Sequence, residues 1–440
     1  MTTPVLDFVR RYAESGAIRF HMPGHKGRPF LGCEPWDITE IPGADALYEA
    51  EGAIAQGEAN TAALYGTRRT CWSTEGASQC IRAMLYLAVT HTGSRTVAAA
   101  RNVHRAFVSA AALLDLDVVW LWPEESRSLC GCPISPEQLE RTLAGLGERP
   151  AAVYLTSPDY LGGTADIPLL AEVCHRHGVL LAVDNAHGAY LRFLEPSRHP
   201  LDLGADLCCD SAHKTLPALT GGAYLHVSRS APAGLEANMK EALALFGSTS
   251  PSYLTLCSLD RCNAYLAEDY PTRLAEAAER VESLKRQIEE AGGQMERSDP
   301  LRLTLAAPKG ETGQILADRL RRHGVECEYA DRDFLVLMAT PENDPEDFRR
   351  VFRALEGVLA PPEARDPLPL AKGERVCSIR EAALARRATV PAAESLGRVC
   401  GLPTVGCPPA VPIVVSGERI TAQAVELFAR YGVEEVEVLV

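Results

Sequence analysis

Short apolar runs alternate with helical patterns between about residue 59 and residue 227. The runs are four to six residues long, and the segments between them repeat their apolar residues every three or four positions. This alternation predicts βαβ units, and so an α/β fold with a largely parallel sheet. The predicted strands are Thr96–Ala100, Val118–Leu121, Ala152–Thr156, Val179–Asp184, Ala205–Asp210 and Gly222–Val227. The predicted helices are Gln79–Val89, Ala106–Leu114, Pro136–Gly145 and Ile167–His177.

A smaller α+β part is predicted after this sheet. Apolar residues at three- and four-residue steps from Leu274 to Ile288 predict a long amphipathic helix that Gly292-Gly293 ends. The elements predicted beyond it are strand Leu301–Ala306, helix Thr312–His323, strands Val325–Tyr329 and Phe334–Met338, helix Pro345–Leu355, a linker Pro361–Pro369, a helix near Ile379–Arg387, a loop Cys407–Pro412 and a helix Thr421–Tyr431.

The first 45 or so residues are rich in Gly, Pro and His and show little periodicity, so they predict an extended arm. We therefore expect three parts: an N-terminal arm over residues 1–58, a large domain over 59–270, and a linker helix with a smaller C-terminal domain over 271–440.

Charge and composition exclude several classes of function. The chain has 440 residues and a formal net charge of −14, which disfavours a nucleic-acid surface or a polybasic membrane anchor. No apolar run approaches the roughly 20 residues that span a bilayer, and the N-terminus lacks a signal-peptide core. We expect a soluble, cytoplasmic protein that binds neither nucleic acid nor membrane.

Fourteen cysteines are scattered along the chain without a C-x-x-C pair. We expect them to be reduced and mostly buried, where a thiol behaves as a small apolar group. His21 and His25 are four residues apart, but they flank Met22-Pro23-Gly24 and are not expected to share a helical face. No metal site is predicted.

Three segments carry polar residues where an active site of a parallel sheet is expected, at strand ends. Asp184 ends an apolar strand, and Lys214 follows the next strand thirty residues later. Before the helix that starts near Ser78 lies a turn rich in Ser, Thr and Gly, which suits a phosphate; an ordinary N-cap by Ser73, Thr74 or Ser78 is the alternative. A phosphate cradle, an acid and a nucleophilic lysine together are what pyridoxal 5′-phosphate (PLP) requires.

Ordered motifs give the chain a resemblance to the Orn/Lys/Arg decarboxylase family, within the PLP enzymes of fold type I (aspartate-aminotransferase-like). The chain resembles the short forms over nearly its whole length. The motifs are HMPGHKG (21–27), DITEIPGADALYEAEGAI (37–54), RNVHRA (101–106), TSPDYLGGTADI (156–167), DNAHGAY (184–190), SAHKTLPALTGGAYLH (211–226) and TSPSYLTLCSLD (249–260).

The resemblance implies a role for each matching residue. Lys214 forms the Schiff base with PLP, Asp184 keeps the pyridine nitrogen protonated, and His104 stacks on the ring. His213 or Lys214 reprotonates the substrate Cα, and His187 lies near the phenolic edge. The residues implied to hold the phosphate are Gly76, Ala77, Ser78, Ser211 and His213, with Thr249 or Ser252 reaching the phosphate of an adjacent subunit.

Two segments depart from the family pattern. The phosphate turn is EGAS (75–78), where an Asn-Gly-Ser/Thr type is more usual, so backbone N–H groups must contribute more. The loop CPPAVP (407–412) replaces a Tyr-Pro-Pro-Gly-(Ile/Val)-Pro type, which weakens any inference about substrate choice.

The function expected from the resemblance is decarboxylation of arginine, lysine or ornithine to the amine, a step of polyamine biosynthesis. The substrate's distal cation needs an acidic partner, for which Asp45, Glu49 and Glu418 are candidates on charge and position. A PLP-dependent aminotransferase, using Arg302 or Arg332, and a catalytically inactive PLP-binding protein remain as alternatives. The resemblance implies a homodimer or a higher homo-oligomer as the assembly.

Overall fold

The computed structural model describes residues 1–403 and 409–440. Within these ranges the α-helices are α1 Pro4–Glu14, α2 Ala53–Tyr65, α3 Gly76–Thr92, α4 Arg105–Leu114, α5 Pro136–Gly145, α6 Ile167–Arg176, α7 Ala212–Thr215, α8 Met239–Leu245, α9 Tyr253–Leu266, α10 Tyr270–Glu290, α11 Gly313–Arg322, α12 Pro345–Leu355, α13 Ile379–Leu384 and α14 Ala422–Arg430.

The strands in the same ranges are β1 Arg69–Ser73, β2 Thr96–Ala100, β3 Asp117–Leu121, β4 Ala152–Thr156, β5 Leu180–Asp184, β6 Leu207–Asp210, β7 Ala223–Val227, β8 Gln294–Met295, β9 Arg302–Ala306, β10 Tyr329–Ala330, β11 Phe334–Met338, β12 Arg387–Pro391, β13 Cys400–Leu402 and β14 Glu435–Leu439. None of the helices in these ranges combines the length and the apolar character that a bilayer span demands.

The chain divides into two compact units, residues 1–94 with 167–273 and residues 95–166 with 274–440. The first unit contains the strand that ends in Asp184 and the strand that precedes Lys214. There β5 and β6 run parallel, β7 is antiparallel to β6, and β1 is antiparallel to β7. All four strands are buried almost throughout, and β5, β6 and β7 have the mostly apolar sequences expected of interior strands. The predicted boundaries of the arm and the two domains remain a prediction.

The second unit contains three groups of strands. Strand β2 pairs in parallel with both β3 and β4. Strands β8–β11 form an antiparallel sheet in the order β10-β11-β9-β8, and β12, β14 and β13 form another antiparallel sheet with β14 in the centre. Buried side chains from α14, β14 and the segment before α14 form a separate apolar cluster that includes Ile413, Leu427, Phe428 and Val438.

Most of the predicted elements between residues 96 and 355 agree with the structure to within two or three residues. Strand Val325–Tyr329 is wrong, because the chain there forms only the short strand β10, paired with β11. The helix expected near Ile379–Arg387 ends at Leu384, and Arg387 instead begins β12. Residues 407 and 408 of the loop that departs from the family pattern lie outside the described residues.

The N-terminal segment contains a helix that the arm prediction missed. In α1, Pro4 occupies the first turn and Val5, Leu6 and Val9 are buried. The backbone N–H groups of Val5 and Leu6 both donate to Asp260 Oδ2 from α9, at 2.8 and 3.0 Å. The helix is thus capped by a residue more than 250 positions away, a signal that local sequence does not contain.

Candidate active site

Asp184 is the last residue of the buried strand β5, in register with Cys209 of β6. Its side chain is 2% exposed. One carboxylate oxygen accepts from the backbone N–H of Ala186 at 3.2 Å, and the Cys209 thiol lies 3.7 Å from the same oxygen. The structure therefore holds an acid at the carboxyl end of a parallel strand, where ligands of α/β sheets bind.

Lys214 lies on the one-turn helix α7, directly after β6. Its backbone N–H donates to Ser211 O at 3.1 Å, and Nζ is 2.9 Å from Nε2 of His187. His187 follows β5 by three residues, and the parallel pairing places the ends of β5 and β6 at one edge. The structure thereby brings Lys214, His187 and the end of the strand that carries Asp184 to the same edge of the sheet.

The predicted phosphate turn joins β1 to α3. The alternative of an N-cap by Ser73, Thr74 or Ser78 is wrong, because the capping residue is Glu75 and its side chain makes no cap hydrogen bond. Gly76 has a φ of +74°, and apart from its chain neighbours and the backbone of its own helix no described atom lies within 4 Å of the position that a Cβ would take there. The helix begins two residues earlier than predicted, and its first-turn N–H groups, including those of Ala77 and Ser78, have no partners within the helix.

A two-glycine turn connects the phosphate turn to the lysine helix. Gly221 O accepts from the backbone N–H of Gly76 at 2.7 Å. Gly222 O accepts from the backbone N–H of His213 at 3.2 Å and from its Nδ1 at 3.1 Å. A Cβ on Gly221 would lie 2.5 Å from Thr74 O, so this position needs glycine for close approach as well as for its φ of +95°. The sequence shows the Gly-Gly pair but does not show that both segments bind to it.

The remaining phosphate candidates have local structural roles. Ser211 is buried at the start of α7, and Ser252 caps α9 by accepting from the Thr255 N–H at 3.3 Å. Thr249 follows Ser248, whose backbone N–H donates to the Glu75 carboxylate in the phosphate turn. The segment 248–252 is therefore attached to the start of α3, while its contact with an adjacent subunit stays a prediction.

His104 lies in the other compact unit, at the start of α4. Its Nδ1 accepts from the backbone N–H of Ala106 at 3.1 Å, so the ring caps this helix. Since Nδ1 is the acceptor, the ring hydrogen is on Nε2 when the ring is neutral. Its predicted stacking on the cofactor ring stays a prediction.

Two of the three acidic candidates for the substrate cation are occupied by other groups. The carboxylate of Asp45 accepts backbone N–H groups at the start of α2, including those of Gly52 at 2.8 Å and Ile54 at 2.9 Å. Burial acts to raise the pKa of Asp45, but these hydrogen bonds together lower it below its ordinary value. Glu418 is buried and pairs with Arg101 at 3.1 Å, whereas Glu49 is exposed.

A buried polar cluster around Asp210, four residues before Lys214, was not predicted from the sequence. Asp210, the last residue of β6, contacts His199, His226 and Asn185, and all four side chains are fully buried. Burial acts to raise the pKa of Asp210, but the two histidines hold it below its ordinary value. The sequence does show Asp210 at the end of an apolar strand, in LCCDSAHK (207–214). It does not show the partners of Asp210, because they come from other segments of the chain.

The architecture and this constellation define the class of protein: an α/β enzyme fold of the PLP fold-type-I kind. Residues 3–305 match the family described as Orn/Lys/Arg decarboxylase, major domain. The chain belongs to the Orn/Lys/Arg decarboxylase family, and it is an enzyme of the amino-acid decarboxylase class. Enzymes of this family use PLP.

Known proteins resemble the chain along almost its entire length. It is 27% identical to the uncharacterized protein YaaO of Bacillus subtilis, over 98% of this chain and 94% of that protein. It is also 27% identical to an arginine decarboxylase of Bacillus subtilis, over 96% of this chain and 92% of that enzyme. The solved lysine decarboxylase LdcF of Francisella novicida superposes with a TM-score of 0.81 at 16% identity, covering 100% of this chain and 81% of that one. This likeness confirms the predicted fold class.

Proposed function

We propose that the protein decarboxylates a cationic L-amino acid, arginine, lysine or ornithine, with PLP held by Lys214. The observation that carries the proposal is the convergence of Lys214, His187 and the Asp184 strand end on one edge of the sheet. Family membership supports the reaction class, and the arginine decarboxylase relatives support a substrate with a distal cation.

The residues present fit PLP. The space in front of Gly76 is open where a side chain would begin, and the first-turn N–H groups of α3 suit the phosphate. Asp184 supplies a buried carboxylate for the ring nitrogen, and Lys214 supplies an amine for the aldehyde carbon. When bound, PLP supplies the electron sink that accepts the electron pair of the breaking Cα–carboxylate bond.

The protein's own groups would then orient the bound cofactor and protonate the substrate Cα. Asp184 holds a proton at the ring nitrogen, since a buried carboxylate favours a cation beside it. Nδ1 of His213 points at a carbonyl oxygen, which only accepts, so Nδ1 carries a hydrogen. Nε2 of His213 is therefore the atom that would take up a second proton, and we propose that it delivers this proton to Cα, with Lys214 Nζ as the other candidate.

The acid that binds the distal cation remains a proposal among Asp45, Glu49 and Glu418. The backbone hydrogen bonds of Asp45 and the buried ion pair of Glu418 give both a structural role already. Glu49, which ends a short 3-10 helix and is exposed, is the candidate we favour.

The aminotransferase alternative requires an arginine that grips the substrate carboxylate. Arg302 is 1% exposed and donates through Nη1 to Tyr160 O at 2.7 Å, with Nε 3.6 Å from Asp299 Oδ2. This interior network makes Arg302 a poor candidate and so supports decarboxylation, whereas Arg332 is exposed and stays the arginine of the alternative. We further propose a cytoplasmic homodimer, or a larger homo-oligomer, acting in polyamine formation.

The decisive experiment scores CO2 release from arginine, lysine and ornithine beside formation of the corresponding α-keto acids. We expect CO2 release without keto acid from at least one of the three substrates. The Lys214→Ala variant should lose both the visible absorption band of bound PLP and the activity, whereas Lys309→Ala, at an exposed surface lysine, should keep both. Keto acid as the main product would favour the aminotransferase, and no product with bound PLP would favour the inactive protein.

A further inference from the structure

The buried carboxylate of Asp210 lies four residues before Lys214 and is hydrogen-bonded to three other segments of the first unit. Its Oδ2 accepts from Nε2 of His199 at 3.0 Å and from Nε2 of His226 at 3.2 Å. Its Oδ1 accepts from Nδ2 of Asn185 at 2.6 Å, with the Cys208 thiol at 3.7 Å. All of these side chains are fully buried, so the network is shielded from solvent.

The hydrogen bonds of the two histidines fix where their hydrogens lie. The backbone N–H of Leu201 donates to Nδ1 of His199 at 3.4 Å, so His199 carries its hydrogen on Nε2. Nδ1 of His226 lies 2.7 Å from Thr70 Oγ1, and burial lowers the pKa of His226 although Asp210 acts to raise it. Both rings are thus N–H donors to one ionised carboxylate, which they hold in a single orientation.

Asn185 connects the Asp210 carboxylate to the turn beside Lys214. Its backbone N–H donates to Cys209 O at 3.0 Å, and its carbonyl accepts from the Gly188 N–H at 2.8 Å. A Cβ on Gly188 would lie 2.0 Å from Asn185 Oδ1, so the amide is folded directly over the turn. His187 belongs to this turn, and its Nε2 is 2.9 Å from Lys214 Nζ.

We propose that Asp210 is a positioning residue, which acts through Asn185 to fix the 185–188 turn so that His187 lies against Lys214. The inference rests on the proposed function in one respect, that Lys214 is the lysine that holds PLP. Without the hydrogen bond between Asp210 and Asn185, the 185–188 turn keeps its backbone hydrogen bonds. It loses the contact that fixes the orientation of the Asn185 side-chain amide.

The test uses the pH profile of Lys214 reactivity in the full-length protein freed of cofactor. Reductive methylation with formaldehyde and cyanoborohydride, read by peptide mass spectrometry, reports each lysine separately, and exposed Lys309 is the internal reference. We compare Asn185→Ala, His187→Ala and the double variant, because Asn185→Ala breaks the connection without changing any charge.

If Asn185 acts through His187, each single variant changes the Lys214 rate at pH 7 by about threefold or more, and the double variant changes it no further than the larger single effect. The Lys309 rate stays constant. A wild-type Lys214 profile in Asn185→Ala, or additive effects in the double variant, would overturn the proposal.

An exchange of the two polar groups gives the rescue. In Asp210→Asn alone, the new amide N–H groups face the amide N–H groups of Asn185, so the hydrogen bond between the two side chains is lost. Asp210→Asn combined with Asn185→Asp restores a donor opposite an acceptor and keeps the net charge of the wild type. We expect the combined variant to recover the wild-type Lys214 profile, and a profile as altered as that of Asp210→Asn would count against the proposal. Should Asp210→Asn fail to fold, the Asn185→Ala comparison still decides.

Two further measurements separate this proposal from others. His199, Cys208 and Asp210 place three potential ligand atoms within 4.8 Å of one another, so stoichiometric zinc in the purified protein would overturn the positioning role. PLP uptake, followed by the visible absorption band, tests the proposed function. A protein that takes up no PLP but shows the expected Lys214 profiles would contradict the proposed function while supporting the positioning role.

Discussion

At the scale of single residues, two groups carry the proposed chemistry: the buried carboxylate of Asp184 at the end of β5 and the amine of Lys214 directly after β6. Asp184 and Lys214 follow apolar strands, so the general rule about strand ends locates both without a structure. The Asp210 cluster and the Gly221–Gly222 turn could not be found in this way, because each joins segments far apart in the chain. The apolar runs along the sequence predict where strands end, whereas the hydrogen-bond partners of a side chain depend on the complete fold.

Asp184→Asn tests the acid at the ring nitrogen. An amide has no negative charge to hold a proton there, so we expect kcat to fall about 100-fold or more while the visible band of bound PLP persists. Asp202→Asn is the matched control, because Asp202 is a surface carboxylate paired with Arg192. Steady-state rates of CO2 release measure the effect, and an Asp184→Asn enzyme with the kcat of the wild type would refute the assignment.

Gly221→Ala tests the turn that joins the phosphate segment to the lysine helix. A Cβ there adds a clash with Thr74 O to the strain of a φ of +95°. Gly234→Ala has nearly the same φ, +98°, but its Cβ meets no described atom within 4 Å beyond its chain neighbours, so it isolates the backbone strain, worth about 1–2 kcal/mol. We expect Gly221→Ala to weaken PLP binding about tenfold or more relative to Gly234→Ala. Equal PLP dissociation constants for the two variants would show that the turn does not shape the phosphate site.

At the scale of elements, the sequence predicts the interior α/β pattern better than the ends of the chain. Buried strands such as β2, β4 and β11 have continuous apolar runs, so their bounds agree with the prediction. The strands β12 and β14 escape prediction because neither has a continuous apolar run: β12 alternates exposed and half-buried residues, and only two residues of β14 are buried. Helix α1 escapes because its cap, Asp260, is supplied by α9.

The start of α2 depends on Asp45, which gives a test at the same scale. We expect Asp45→Asn to lower the free energy of unfolding by about 1–3 kcal/mol, because several backbone N–H groups lose a charged acceptor. Since the folded-state pKa of Asp45 is lowered, its contribution is complete above about pH 4 and is lost as the pH falls further. Urea unfolding at pH 7 and pH 3 should therefore show a smaller difference between variant and wild type at pH 3.

Glu49→Gln is the companion variant, since Glu49 is exposed and is the favoured acid for the substrate cation. We expect it to leave the urea midpoint unchanged and to raise KM for the cationic substrate about tenfold. A raised KM with intact stability in Asp45→Asn would instead move the substrate role to Asp45.

At the scale of the whole molecule, the net charge of −14 suits the cationic substrate that we propose. The cysteines have no role in the proposed chemistry, and most of those described are buried, where burial raises the thiol pKa, as for Cys80 and Cys262. Neither the net charge nor the core explains why the N-terminal arm exposes large apolar side chains.

Four side chains of the arm, Ile18, Phe20, Phe30 and Leu31, are between 84% and 94% exposed. Exposed apolar groups of this size are costly in water, and they mark surfaces that another chain covers. We therefore expect Phe20→Ser with Leu31→Ser to shift the proposed homodimer toward monomer, with the dimer dissociation constant rising about 100-fold. Sedimentation equilibrium over a range of protein concentrations measures this constant. Leu384→Ser, at a residue that is 75% exposed on α13, is the control and should leave the assembly unchanged. Because both arm residues lie outside the core, the variants should keep the thermal stability of a folded subunit, and an unaltered dimer would assign the interface to another surface.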